Sequence, residues 1–251
     1  PCFGRGDLKY EKVETKVLNT LKKISGHKKI VRLQGSASFA LEVMILNFLK
    51  GNILIFKTGV YSDRIYKMCV FAKKNFKNIK KIEYIDWKKI NNYRGKANWI
   101  LACYVETSVG LKLPIRELYN LKKRLKCKLA LDATASIGLE KNHKFADIIG
   151  YSSCKGLFGL TGAGFISFNN DPKNKIKSFN LDFQNHKNKK MTGPYHAICS
   201  LVNVLKNHNN FKQSVKINKS KIMKKMSKNL VLKKKYQPLI CTQLDKKISS
   251  K

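Results

Sequence analysis

The feature that most constrains this chain is the recurrence of short apolar runs separated by segments with helical periodicity. Asn52–Phe56, Trp99–Val105 and Leu129–Leu131 are apolar runs of strand length, and Ile30–Leu33 and Phe165–Phe168 add two more. Helical patterns lie between them at Ser62–Lys74 and Pro114–Arg124. Pro114 suits a first helical position, where its missing N–H costs nothing. Phe39–Leu49 is apolar almost all round and predicts a buried helix, whereas Val13, Val17, Leu18, Leu21 and Ile24 predict an amphipathic helix over residues 8–24. Strands alternating with helices predict an α/β fold with a mostly parallel sheet and helices on both faces.

The pattern changes after Phe168. Residues 169–190, rich in Asn, Asp and Lys, read as a loop, while Tyr195–Leu205 and the basic stretch Phe211–Leu230 read as helices. Pro238–Thr242 reads as the opening strand of a small terminal domain. The expected organisation is a large domain over residues 1–207, followed by a linking basic helix and the start of the small domain over residues 208–251. The chain begins at Pro1 rather than Met, which fits a fragment or a processed product.

A length of 251 residues suffices for one large α/β domain and part of a second. No apolar run approaches the ~20 residues that cross a bilayer, so no membrane partner is expected. The formal net charge of +37 invites a polyanion. The basic excess is nearly all lysine, however, with arginine only at Arg5, Arg32, Arg64, Arg94, Arg116 and Arg124. Base-reading surfaces use arginine forks, so non-specific attraction is expected and specific nucleic-acid recognition is not. Seven cysteines (Cys2, Cys69, Cys103, Cys127, Cys154, Cys199, Cys241) are scattered without a Cys-x-x-Cys pair. They argue against a disulfide framework or a zinc site, favour a reducing, cytoplasmic compartment, and read as small buried hydrophobes.

Ligands of open parallel sheets sit beyond the carboxyl ends of the strands. Gly35-Ser36-Ala37-Ser38 follows one strand and opens a helix, where N–H groups and hydroxyls can hold a phosphate; taken alone, such a turn is structural more often than not. Asp132 ends the Leu129–Leu131 run, so its carboxylate is desolvated unless a cation or donor meets it; a helix cap is the simpler role. Lys155 follows in Tyr151-Ser152-Ser153-Cys154-Lys155-Gly156, an apolar, glycine-rich setting. Desolvation there would lower its pKa and ready a neutral amine to attack an aldehyde. An acid for a pyridinium nitrogen, an aldehyde-binding lysine and a phosphate cup together make a pyridoxal-phosphate site.

Five ordered segments then carry a resemblance. They are Gln34-Gly35-Ser36-Ala37-Ser38-Phe39-Ala40-Leu41-Glu42, Thr58-Gly59-Val60-Tyr61-Ser62-Asp63-Arg64, Glu106-Thr107-Ser108-Val109-Gly110 with Pro114, Leu131–Gly138, and Ser153-Cys154-Lys155. Thr192-Gly193-Pro194-Tyr195-His196 adds a later one. Together they resemble the class V aminotransferases over about residues 30–207. The resemblance implies the type I fold of pyridoxal-phosphate transferases, incomplete here at both ends and with an unfinished C-terminal small domain. It gives Lys155 and Asp132 as catalytic residues, with Lys155 holding the cofactor and moving the proton and Asp132 on the ring nitrogen. Tyr61 would stack on the ring, Thr107 reach its phenolic oxygen, and Ser36, Ala37 and Ser38 hold the phosphate. Thr192 would reach the phosphate of a neighbouring subunit in a homodimer with shared sites.

The implied partners are a small amine donor and a 2-oxo acid acceptor such as pyruvate. The motifs favour 2-aminoethylphosphonate as donor; alanine–glyoxylate or serine–pyruvate transamination, or an inactive truncated homologue, are the alternatives. Departures from the family pattern are Ala37 in place of a glycine, Cys154 before the lysine, Val109 in the Glu-Thr loop, and no arginine after Arg124 to meet a substrate carboxylate.

Overall fold

The apolar runs fold as strands buried on both sides, and the alternation of their side chains assigns each residue to one of two cores. The computed structural model describes residues 6–233, Tyr236, Cys241 and Thr242. In chain order the elements are α1 (Leu8–Ser25), β1 (Lys29–Gln34), α2 (Ala37–Phe48), β2 (Gly51–Lys57), α3 (Val60–Phe76), β3 (Ile79–Asp86), β4 (Trp99–Cys103), β5 (Val105–Glu106), β6 (Leu111–Lys112), α4 (Ile115–Leu125), β7 (Lys128–Asp132), β8 (Ile148–Ser152), β9 (Ala163–Phe168), α5 (Phe183–Lys187), α6 (Tyr195–Lys206) and α7 (His208–Lys225). Leu54, Phe56, Ile100, Ala102, Leu129 and Leu131 point toward α1, α4 and α6. Ile53, Ile55, Trp99, Leu101 and Ala130 point toward α2, α3 and α5. A sheet covered on both faces has no need of polar alternation, which is why its strands are continuous apolar runs.

The seven-stranded sheet runs in the order β1-β9-β8-β7-β4-β2-β3. The neighbours from β8 to β3 are parallel, while β9 runs antiparallel to both β8 and β1. From β2 the chain winds outward to β3, then returns to place β4 on the other side of β2 and continues to β7 and β8. The winding reverses between β2 and β4, and a crevice opens above such a reversal. Because β9 is reversed, its amino end lies at the same edge as the carboxyl ends of the others.

Helix α1 is fastened to β1 by a buried charge cluster. Arg32 Nε donates to Glu14 Oε1 at 2.6 Å, Lys189 Nζ lies 2.7 Å from Glu14 Oε2, and the Tyr10 hydroxyl also bonds Glu14. Burial pushes the Glu14 carboxyl up, but the bonds from Lys189 and Arg32 outweigh it and hold the pKa below the ordinary value. Removing one partner would strand a buried charge, at a cost of about 3–5 kcal/mol.

Several sequence expectations need correction. The run Trp99–Val105 is not one strand: beyond Cys103 the Tyr104 N–H turns to the Asp132 carbonyl, and Val105–Glu106 pairs instead with Leu111–Lys112. Pro114 caps α4 rather than opening it, since its ψ of 89° is not helical. The 169–190 segment contains the short helix α5, anchored by buried Phe183 and His186. The basic helix spans His208–Lys225 and gives way to a 3-10 turn at Ser227–Asn229, short of Leu230. Strand β3 escaped notice because it is an edge strand whose Lys80, Lys81 and Glu83 break the apolar run; β8 is a five-residue strand interrupted by Gly150. Most of the Pro238–Thr242 segment lies outside the described residues, although Thr242 bridges antiparallel to Leu230. Cys69, Cys103 and Cys127 are buried, but Cys154, Cys199 and Cys241 are only partly so. Among the described residues no helix is long and apolar enough to cross a membrane.

Candidate active site

A cavity of about 390 Å³ lies at the edge formed by the carboxyl ends of β1, β4, β7 and β8, the amino end of β9 and the first turns of α2 and α3. Ser36, Ala37, Ser38, Tyr61, Thr107, Asp132 and Lys155 all line it. Thr192 does not; it is exposed in the loop that leads to α6, outside the cavity.

One end of the cavity is built to receive an anion. Gly35 leaves β1 with its N–H on the Gly162 carbonyl and allows the chain to turn into α2. The Ser36 hydroxyl caps the helix by accepting the Phe39 N–H at 3.2 Å. The N–H groups of Ala37 and Ser38 have no protein acceptor among the described residues. Two unanswered donors at the positive end of a helix are a ready seat for a phosphate. Arg64 adds a cation: its Nη1 donates to the Ser38 hydroxyl at 3.1 Å.

Asp132 forms the opposite wall. Its residue is buried, and one oxygen, Oδ1, accepts both the N–H (2.9 Å) and the hydroxyl (2.6 Å) of Thr134. Among the described residues no helix directly follows β7 for Asp132 to cap; Asp132 instead holds the turn that leaves the strand. Its other oxygen has no donor among the described residues. Burial pushes the Asp132 carboxyl above the usual range, and Glu106 adds to this, while Thr134 and Lys155 oppose it. A cationic partner in the cavity would offset that desolvation.

Lys155 stands on the loop after β8 in the left-handed conformation, with φ 55°. For a non-glycine residue this costs on the order of 1 kcal/mol, a strain tolerated only where the surroundings enforce it. The loop is tight at the next residue, where a Cβ on Gly156 would lie 2.3 Å from the Ile137 carbonyl oxygen. The expected desolvation is not found. Lys155 is exposed, because the loop lifts it from the sheet edge to the cavity mouth, where Nζ lies 5.0 Å from the Tyr61 ring centroid. Cys154 turns toward Ser152, with Sγ 3.3 Å from Oγ.

Tyr61 is held from below by Glu106. This carboxylate is wholly buried and takes the N–H groups of Tyr61 and Ser62, the Thr58 hydroxyl, and the N–H and hydroxyl of Ser108. Glu106 thus caps α3, joining the loops on either side of the winding reversal. Its role escaped the sequence reading, although a glutamate just past an apolar run was a signal available there. The sequence alone assigns no role to Arg64, one helical turn beyond Tyr61, or to Thr134, two residues past Asp132 in an Asx-type turn.

A doubly covered sheet whose strand ends bring a lysine, a buried acid and a helix-borne anion seat to one cavity fits the class of enzymes built around an aromatic aldehyde phosphate. Sequence comparison is more specific: the Aminotransferase class-V profile matches residues 6–193, and the chain belongs to that family. A 2-aminoethylphosphonate–pyruvate transaminase of Pseudomonas aeruginosa is 26% identical over 177 residues, covering 65% of this chain and 48% of the relative. A bifunctional phosphonoacetaldehyde hydrolase/aminoethylphosphonate transaminase of Clostridioides difficile is 26% identical over 70% of this chain and 31% of its own length. The chain therefore spans about half the length, or less, of these curated relatives. In fold it is similar to an alanine–glyoxylate aminotransferase from Nostoc sp., with TM-score 0.80 at 16% identity over 99% of this chain and 76% of that one. A pyridoxamine–pyruvate aminotransferase from Mesorhizobium loti gives TM-score 0.79 at 17% identity, covering 98% and 73%.

The family implies pyridoxal phosphate, and the cavity fits it. An acid with one unengaged oxygen suits a protonated ring nitrogen, the aromatic wall suits the ring, and the unpaired amides of Ala37 and Ser38 suit the phosphate.

Proposed function

We propose that the chain is the cofactor-binding part of a pyridoxal-phosphate transaminase. It would move an amino group from 2-aminoethylphosphonate to pyruvate, giving phosphonoacetaldehyde and alanine. The observation that carries this reading is the convergence of Lys155, Asp132 and the first turn of α2 on one cavity. The choice of donor rests on curated relatives named for that reaction.

When bound, the cofactor supplies an electron sink for the pair left when the donor carbon loses its proton. Lys155 would hold the cofactor aldehyde through Nζ and would serve as the base that moves the proton of the donor carbon. Asp132 keeps the ring nitrogen protonated through its unengaged oxygen. Tyr61 and Thr107 line the same cavity, where Tyr61 would stack on the ring and Thr107 would donate to its phenolic oxygen. Ser36, Ala37 and Ser38 bind the phosphate through hydroxyl and amide hydrogens. Thr192, exposed outside its own cavity, reaches the phosphate of the neighbouring subunit in a homodimer. The six cysteines among the described residues are free, which accords with a reducing cytoplasmic setting.

The reading is tested by supplying the protein with pyridoxal phosphate and following amino transfer. Alanine formed from pyruvate and 2-aminoethylphosphonate, and lost in Lys155→Ala, supports it. Turnover of alanine with glyoxylate, or of serine with pyruvate, without response to the phosphonate would move the donor to the alternative pair. Absence of transfer from any of these amines would contradict a transaminase.

A further inference from the structure

Arg64 is the one cation of the cavity besides Lys155, and its surroundings leave it without a counter-charge. Its neighbour Asp63 is committed to the Tyr84 hydroxyl. Among the described residues no carboxylate pairs with Arg64. The other internally bonded arginines are spent on structure: Arg32 on Glu14, Arg94 and Arg124 on the carbonyls of Asn91 and Tyr93. Arg64 instead lies with its Cζ 5.0 Å from the Tyr61 ring centroid and donates only to the Ser38 hydroxyl. A guanidinium has five N–H donors, so most of them remain to be answered.

The bond to Ser38 also orients that hydroxyl. An oxygen that accepts from a guanidinium keeps its own hydrogen to donate, and here it can donate toward the seat made by the Ala37 and Ser38 amides. We propose that Arg64 is the cationic member of this anion cup, holding the phosphate group of the cofactor alongside those amides. The assignment rests on the cofactor reading above. A planar fork of donors beside a phosphate monoester is the pairing for which arginine is suited and lysine is not. Stacking on Tyr61 fixes the fork, so that one side chain steadies both the phosphate and the wall against the ring.

The test compares pyridoxal phosphate with pyridoxal, which lacks the phosphate, in equilibrium titrations of the wild type, Arg64→Gln and Arg64→Lys. Binding is read from the visible absorption of the lysine-bound cofactor. Unchanged thermal unfolding of the cofactor-free variants controls for folding. Arg64→Gln should weaken pyridoxal phosphate at least about tenfold, as expected for loss of a charge-assisted bond. It should change pyridoxal less than about twofold, and Arg64→Lys should fall between. Inorganic phosphate should compete with pyridoxal phosphate in the wild type and less so in Arg64→Gln. Equal weakening of both aldehydes would overturn the proposal by showing that Arg64 acts through Tyr61. Unchanged binding of both, with weaker response to 2-aminoethylphosphonate, would overturn it in favour of a substrate contact. A wild type that binds neither aldehyde would instead refute the cofactor reading itself.

Discussion

Glu106 accepts the backbone N–H of Tyr61 at 3.1 Å, although 45 residues separate them in the chain. Through this contact a carboxylate from beyond β4 caps a helix that begins beyond β2, where the macrodipole favours negative charge. Gly59, at the N-cap of α3, has no side chain to serve the purpose. Glu106→Ala would leave the Tyr61 and Ser62 N–H groups and the Thr58 hydroxyl unanswered in a buried place. The expected loss is about 3 kcal/mol in denaturant unfolding, together with weaker cofactor binding as Tyr61 loosens. Glu106→Gln, which keeps one acceptor, should lose about half as much.

Asp132→Asn separates stability from chemistry. The folded-state pKa of Asp132 is raised, so its contribution to stability is fully present below the unfolded pKa and is lost as pH rises through the folded one. Without cofactor, the asparagine variant should therefore be at least as stable as wild type at neutral pH and show a flatter stability profile above the ordinary aspartate range. Amino transfer should fall by about a hundredfold or more, since the ring nitrogen loses its acid partner. Urea unfolding across pH 4–8 checks the first part, and steady-state turnover the second.

A second pH dependence lies behind the site. His143 is buried against Ser136, with Nε2 2.8 Å from the hydroxyl, and its pKa is pushed down to about 4 by burial, with smaller contributions from His27 and Lys212. A depressed folded-state pKa means that stability is full above the unfolded value of 6.5 and is lost as pH falls toward 4. The loss should be on the order of 3 kcal/mol. His143→Gln should flatten that part of the pH profile measured by thermal unfolding.

Gly156→Ala probes the strained loop. The added methyl would meet the Ile137 carbonyl at 2.3 Å, a backbone atom that cannot swing aside. Stability should drop by about 2 kcal/mol or more, and Lys155 should leave its position over Tyr61. Cofactor absorption and unfolding midpoints should fall together.

The parts of the fold legible in the sequence are those buried on both faces. β2, β7, α2 and α3 follow from continuous apolar runs and helical spacing, and the lining of the cavity follows from five short motifs placed at strand ends. What stayed hidden depends on contacts between distant residues. β3 is an edge strand in which Lys80, Lys81 and Glu83 interrupt Ile79, Ile82, Tyr84 and Ile85, so no continuous apolar run marks it. The break at Cys103 is made by the Asp132 carbonyl, a partner 28 positions beyond Tyr104. The exposure of Lys155 could not be foreseen from its glycine-rich neighbours, because it depends on how the loop rises from the sheet rather than on which residues flank it. Arg64 and Glu106 were visible as letters in a motif, but their roles come from hydrogen bonds that only the fold creates.

The most direct test of the central claim, that Lys155 holds the cofactor, is to trap the complex with borohydride and locate the modified lysine by peptide mass spectrometry. The chain is rich in exposed lysines, so chance reaction would spread over many of them. A single dominant adduct at Lys155 is expected, removed by Lys155→Ala and suppressed by prior addition of the amine donor. Adduct scattered over surface lysines, or unchanged in Lys155→Ala, would contradict the assignment.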